Sequence, residues 1–242
     1  ADYLAWAAQE AVHRARRNAA IDGLRFPHAA FNDGQRGLAN AVFRAAKHRT
    51  ALMAQAPTGI GKTVGTLFPA LKAMAQEKVE KIFYLTAKTS GRQMALDALA
   101  SLEMTPDQAA ERVLPLRVLE LVARDKACVH PDKACHGESC PLAKGFYDRL
   151  PAAREAAVAS PRQRLTQDGV RAVAEAHRIC PYYLSQEMAR WADVIVADYN
   201  YYFDQSALLH SLTVVNEWRV AVLVDEAHNL VERGRSMYST AL

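Results

Sequence analysis

Two stretches far apart in the 242-residue chain carry the side chains that phosphate chemistry needs. The first is "APTGIGKT", residues 56–63. Gly59 and Gly61 allow backbone N–H groups to close around phosphate oxygens, with Thr58 and Ile60 completing the loop. Lys62 offers a cation to the β- and γ-phosphates and Thr63 a hydroxyl to Mg²⁺. The general G-x-x-x-x-G-K-[ST] pattern has one departure here, Ala56 in place of its first Gly. The second stretch is "VAVLVDEAH", residues 220–228, an apolar run that ends in two carboxylates. Asp225 suits Mg²⁺, directly or through water, and Glu226 suits a general base that takes a proton from an attacking water. Each stretch alone has a plainer reading, a glycine-rich turn or an acidic helix start favoured by the helix dipole. Their pairing in one chain favours a nucleotide-hydrolysing site.

A third stretch, "KACVHPDKACHGESCPLAKGF" (126–146), holds Cys128, Cys135 and Cys140, and the fourth cysteine of the chain, Cys180, lies downstream. Thiolates are soft ligands suited to an iron–sulfur cluster or to zinc. Cys140 and Cys180 each precede a proline, as a ligand does in one ferredoxin pattern. Four-Cys zinc sites are built from closer pairs, and only Cys135 and Cys140 approach that spacing, with His130 and His136 as substitute ligands. On the residues alone, iron–sulfur and zinc weigh equally, ahead of two disulfides or four unrelated thiols.

What must position these groups is legible as an alternation of apolar runs and helical patterns. "TALMAQA" (50–56) reads as a buried strand leading into the phosphate loop, followed by a helix through "VGTLFPALKAMAQ". "KIFYLTA" (81–87) reads as a second strand, with a helix in "GRQMALDALASL", and "ADVIVAD" (192–198) and "RVAVLVDEA" (219–227) as later strands. Continuous Val/Ile/Leu runs alternating with helices indicate an α/β fold, a parallel sheet with helices on both faces and its site at the C-terminal strand ends. Residues 125–180 interrupt that pattern and read as a small helical insertion. The domain reading is 1–30 an N-terminal helix and lead-in, 31–124 and 181–242 the two parts of the sheet domain, and 125–180 the cysteine-bearing insertion. The opening helix, with Arg14, Arg16 and Arg17, reads either as a dock for an upstream domain or, the favoured reading, as a solvated helix.

Composition agrees with a globular chain: half the residues are hydrophobic, 23% are charged, and the net charge of +4 permits a nucleic-acid partner without demanding one. No apolar run reaches the roughly 20 residues of a membrane span, and no export signal opens the chain. The expected compartment is therefore the cytoplasm, where clustered thiols bind metal more often than they pair.

With these residues in hand the chain resembles superfamily 2 helicases. "APTGIGKT" and "DEAH" match their ATPase core, and "FNDGQRGLANAVF" (31–43) resembles the adenine-reading segment, with Gln35 in the reader's place and Asn32 where the family often has Arg. "YLTAKTSGRQ" (84–93) resembles the family's strand-end motif that touches the nucleic-acid backbone, and "WADVIVADYNYYFD" (191–204) resembles the segment before the DEAH box in the iron–sulfur branch of the XPD and DinG type, especially a bacterial XPD-like subgroup. The resemblance implies a RecA-like P-loop NTPase lobe with ATP and Mg²⁺ as cofactors and a [4Fe–4S] cluster on Cys128, Cys135, Cys140 and Cys180. It also implies single-stranded or forked DNA as partner, gripped by Lys88 and Thr89, with His228 coupling hydrolysis to it. The rings of "DYNYYFD" can stack bases beside a basic groove, and Tyr199 and Asn200 are expected nearest the strand. Movement 5′ to 3′, a DNA-repair setting, a bacterial nucleoid location, a monomer, and a second motor lobe beyond Leu242 are further expectations. A lobe alone is expected to bind nucleotide but to hydrolyse it very slowly. Two rival classes are a binding module for DNA structure or protein, with a vestigial ATPase, and a P-loop kinase or GTPase. Glu226 and the absence of an acceptor-binding motif speak against the second.

Overall fold

The computed structural model describes residues 2–103, 114–159, 164–204 and 207–239. The chain opens with α1 (Asp2–Asp22), α2 (Gln35–His48) and α3 (Lys62–Gln76), then β1 (Lys81–Leu85), α4 (Thr89–Glu103) and β2 (Val118–Glu120). It continues through α5 (Arg124–Ala127), α6 (Phe146–Ala159), α7 (Gln167–Ala176), α8 (Pro181–Met188), β3 (Val194–Ala197) and α9 (Asn200–Phe203). It ends with α10 (Leu208–Val215), β4 (Val220–Val224) and α11 (Asn229–Tyr238). The four strands form one parallel sheet in the order β2-β3-β1-β4. Among the described residues no helix is long and apolar enough to cross a membrane.

Both faces of the sheet are covered, as runs without polar alternation require. Ile82, Tyr84, Val194 and Val196 face one cluster, built with Leu67, Leu71 and Met74 of α3 and Leu99 and Leu102 of α4. Phe83, Leu85, Ile195 and Ala197 face the other, built with α6, α7, α8 and α10. Because all strands run the same way, the ends of β1, β3 and β4 open on one rim: Leu85 stands beside Ala197 on one side and Val224 on the other.

Two expectations need correction, and one strand was unforeseen. Residues 50–56 form no strand; they are largely exposed, Met53 at 97%, and β4 is the edge of the described sheet. An apolar run becomes a strand only when a neighbour takes its backbone N–H and C=O groups, and no described strand lies alongside this one. Residues 125–180 are not wholly an insertion either. Ala153 and Ala157 of α6 and Val170, Val173 and Ala174 of α7 belong to the sheet's own core, so only about 128–145 stands apart from it. The short strand β2 escaped notice because three residues are too few to show a period.

The opening helix is docked. Arg17 is 3% exposed and pairs with the buried Asp193, whose other oxygen accepts from His13 Nε2 at 2.9 Å and from the Arg117 amide at 2.9 Å. Arg117 Nη1 lies 2.6 Å from Glu10 Oε1, and Trp6 meets Trp191 edge-on at 5.6 Å. Arg14 and Arg16 are exposed, as a solvated face has them. Charge alone did not separate the one buried arginine from its two neighbours.

Candidate active site

The phosphate loop turns directly into α3, with Gly59 and Gly61 at φ of 84° and 79°. Gly61 has no substitute, since its φ is left-handed and a Cβ there would stand 2.4 Å from Gln35 Nε2. Gln35, 2% exposed, begins α2 and braces the loop: Nε2 donates to the Gly61 carbonyl at 3.0 Å and Oε1 accepts from the Asn32 amide at 3.0 Å. Asn32 Nδ2 reaches the Ile60 carbonyl at 3.3 Å. Asn32 therefore holds the loop from the place where the resemblance led one to look for Arg. Thr58 is exposed, and Ile60 packs over Gly34.

Asp225 and Glu226 follow β4, the strand hydrogen-bonded to β1, so their turn meets the phosphate loop across the rim. The Asp225 amide donates to the Leu85 carbonyl at 2.9 Å and fixes the turn to β1. Lys62 Nζ lies 3.2 Å from Glu226 Oε1 and 3.5 Å from the Ala56 carbonyl. Glu226 adopts φ 52°, a left-handed conformation that costs a non-glycine residue about 1–2 kcal/mol. Its carbonyl accepts from the Asn229 amide at 2.9 Å, Asn229 Nδ2 at 3.0 Å and the Tyr199 hydroxyl at 3.1 Å. His228, mostly exposed, places Nδ1 3.5 Å from Glu226 Oε2.

Two of the carboxylate's surroundings explain why a cation belongs here. Burial pushes the Asp225 carboxyl above its ordinary value and the neighbouring Glu226 charge adds to this, while Lys62 and a Tyr84 hydrogen bond pull it back. Burial raises the Tyr84 pKa, the Asp225 charge adds to this, and the Thr63 side chain opposes it. The Asp225 carboxylate, its neighbour Glu226 and the Thr63 hydroxyl are hard oxygen groups of the kind a divalent ion takes. Tyr84 was missed in the sequence; the available signal was a hydroxyl in an apolar strand one position before the strand's end.

The DNA candidates separate. Lys88 and Thr89 are exposed at the C-terminal end of β1, and Thr89 Oγ1 accepts from Arg92 Nη2 at 3.2 Å. Asn200 is exposed beyond the end of neighbouring β3. Tyr199 is corrected: its side chain is fully buried, so its ring offers no stacking surface, and its hydroxyl donates to the Asp225 and Glu226 carbonyls. The run does not continue β3 but turns at Tyr199 into the helix α9, and Tyr199 at that turn faces the core.

The four thiols are free, Cys135 exposed and the others half-buried. Among the described residues no group of three or more His, Cys, Asp and Glu side chains is gathered to hold a metal ion. They nevertheless share one neighbourhood. Burial raises the Cys180 thiol, the Tyr182 and Tyr183 amides oppose it, and charge on Cys128 and Cys140 raises it further. The Tyr183 hydroxyl is raised by burial and by charge on Cys135 and Cys180. Cys180 caps α8 just before Pro181, so the first-turn amides approach its sulfur without closing a cap hydrogen bond. Four thiols have the chemistry of soft-metal ligands, for an iron–sulfur group or for zinc, but the described residues do not gather them into one site.

Comparison with known proteins places the chain. The regulator of telomere elongation helicase 1 homolog of Anopheles gambiae is 27% identical over 177 residues, covering 65% of this chain and 16% of that protein. The human regulator of telomere elongation helicase 1 is 27% identical over 165 residues, covering 63% and 12%. The chain therefore spans less than a fifth of the length of these relatives. A solved XPD helicase structure superposes with a TM-score of 0.57 over 85% of this chain and 34% of its own, at 18% identity, and so shares the fold. The DEAD_2 family model matches residues 95–242, more than half of the chain, from within α4 through the Asp225–Glu226 turn, and the chain belongs to the DEAD_2 family.

Proposed function

We propose that this chain is the first motor lobe of an ATP-dependent DNA helicase, in which ATP hydrolysis drives movement along single-stranded DNA. The observation that carries the reading is the approach of Lys62 and Glu226, 164 positions apart, to 3.2 Å at the rim where the strands end. The names of the relatives, both helicases, support the DNA substrate. In this reading the phosphates lie in the 56–63 loop and Lys62 leaves Glu226 for the β- and γ-oxygens. Thr63 and Asp225 would hold Mg²⁺, which would supply charge to offset the phosphates. The Glu226 carboxylate takes the proton of the attacking water, whose oxygen forms the new bond to the γ-phosphorus as the bond to ADP breaks. Lys88, Thr89 and Asn200 contact the DNA backbone, which positions the strand without reading sequence. A second lobe completes the site; the edge of β4, unpaired among the described residues, and the exposed 50–56 segment accord with a chain that packs against more protein. A duplex with a 5′ single-stranded tail is expected to be opened by the full-length protein and one with a 3′ tail left intact. Opening of neither would sink the helicase reading, and opening only the 3′-tailed duplex would reverse the polarity.

The four cysteines are proposed to hold a [4Fe–4S] cluster that staples residues 128–145, a segment without a core of its own. Cys128, Cys135, Cys140 and Cys180 are its ligands. Protein purified without oxygen is expected to be brown, with iron and sulfide near four per chain, and a Cys180→Ser variant to lose at least about half of both. One zinc per chain with no sulfide would assign the site to zinc instead. A cytoplasmic setting, which keeps thiols reduced, goes with either metal.

A further inference from the structure

We infer that Tyr199 is a positioning residue for Glu226, tying the strand-end segment 198–203 to the turn that carries the general base. The inference rests on the motor reading above. Tyr199 follows β3 at the rim where Lys88 and Asn200 are exposed, yet its own side chain is fully buried and runs under the neighbouring strand end to the 225–226 turn. There its hydroxyl donates to the Asp225 and Glu226 carbonyls, the latter at 3.1 Å.

The geometry gives the contact a task. Glu226 sits at φ 52°, a conformation that a non-glycine residue keeps only when its surroundings hold it. Tyr199 and Asn229 hold it, both through the Glu226 carbonyl. The same segment is tied to the helix that follows the turn: Arg233 Nη2 donates to Asp198 Oδ2 at 3.1 Å and the Tyr238 hydroxyl to the Phe203 carbonyl at 2.7 Å. Tyr201 fixes its other side through the Val122 carbonyl at 2.8 Å. Tyr199 is the direct link from this segment to the Glu226 carbonyl, while the Asp198–Arg233 and Phe203–Tyr238 contacts reach only the helix beyond the turn. Phenylalanine would fill the same space but leave both carbonyls without that donor.

The test uses the full-length protein and its Tyr199→Phe variant. With single-stranded DNA at saturation, kcat for ATP is expected to fall about tenfold or more, with KM for ATP and the DNA dissociation constant changing less than about twofold. Hydrogen exchange of a peptide spanning 222–232 is expected to quicken, and exchange in 67–74, inside α3, to stay as it was. An unchanged kcat overturns the inference. So does a loss that appears only as weaker DNA binding and is restored by more DNA, since that marks a DNA-contacting residue. If the unmodified protein hydrolyses no ATP, the motor reading falls and exchange decides: faster exchange in 222–232 supports the tie between Tyr199 and the turn, and unchanged exchange overturns it.

Discussion

Replacing Glu226 with Gln is expected to lower DNA-stimulated ATP hydrolysis by the full-length protein about 10²–10⁴-fold, the usual worth of a positioned general base. Binding of Mg·ATP is expected to persist or tighten. The amide cannot take a proton from water, but Lys62, now 3.2 Å from the Glu226 carboxylate, loses a competing anion and is freer to meet the phosphates. The side chain is nearly isosteric, so the turn and its carbonyl contacts to Tyr199 and Asn229 remain. Binding is read from fluorescence of a labelled nucleotide and hydrolysis from released phosphate. Loss of binding together with hydrolysis would make Glu226 a structural rather than a chemical participant.

Replacing Asp193 with Ala is expected to destabilise the fold by about 3–5 kcal/mol in urea denaturation, because Arg17, 3% exposed, is left as a buried charge without its partner. The same substitution removes acceptors from His13 and from the Arg117 amide. A loss below about 1 kcal/mol, typical of an exposed pair, would mean that α1 docks through apolar contacts alone. Acid gives an independent check. Burial alone pushes the Asp193 carboxyl up, but the His13 hydrogen bond, the Arg17 and His13 charges and the Arg117 amide together hold it at about 2, below its ordinary 3.8. A depressed carboxylate contributes stability that is fully present above its unfolded value and is lost as pH falls from there through about 2. The Ala variant is expected to lose that part of the acid dependence.

How much of this could be read from sequence differs by residue. The phosphate loop and the DEAH turn were legible because their chemistry needs particular side chains at fixed spacing, and the sheet was legible where runs such as "VAVLV" are long and apolar. The 50–56 run had the same composition and failed, since strand formation depends on a neighbour that composition does not reveal. Arg17 and Arg14 were indistinguishable as letters; only the docked helix shows that one faces Asp193 and the other solvent. Tyr199 illustrates the same limit at the site. Four rings in "YNYYF" announce an interface or a core, and which ring does which is decided by a strand-end geometry that the letters do not carry. Tyr84 was hidden for the opposite reason, since a tyrosine in a buried strand satisfies β-propensity without advertising its hydroxyl.

The most direct test is steady-state phosphate release by the full-length protein at saturating Mg·ATP, with single-stranded DNA titrated in. A rate that rises about tenfold or more with DNA, and that disappears in a Lys62→Ala variant, is the expected result for a DNA-driven P-loop motor. A rate that ignores DNA, or that survives the loss of Lys62, would contradict the assignment of residues 56–63 and 225–226 as its motor site.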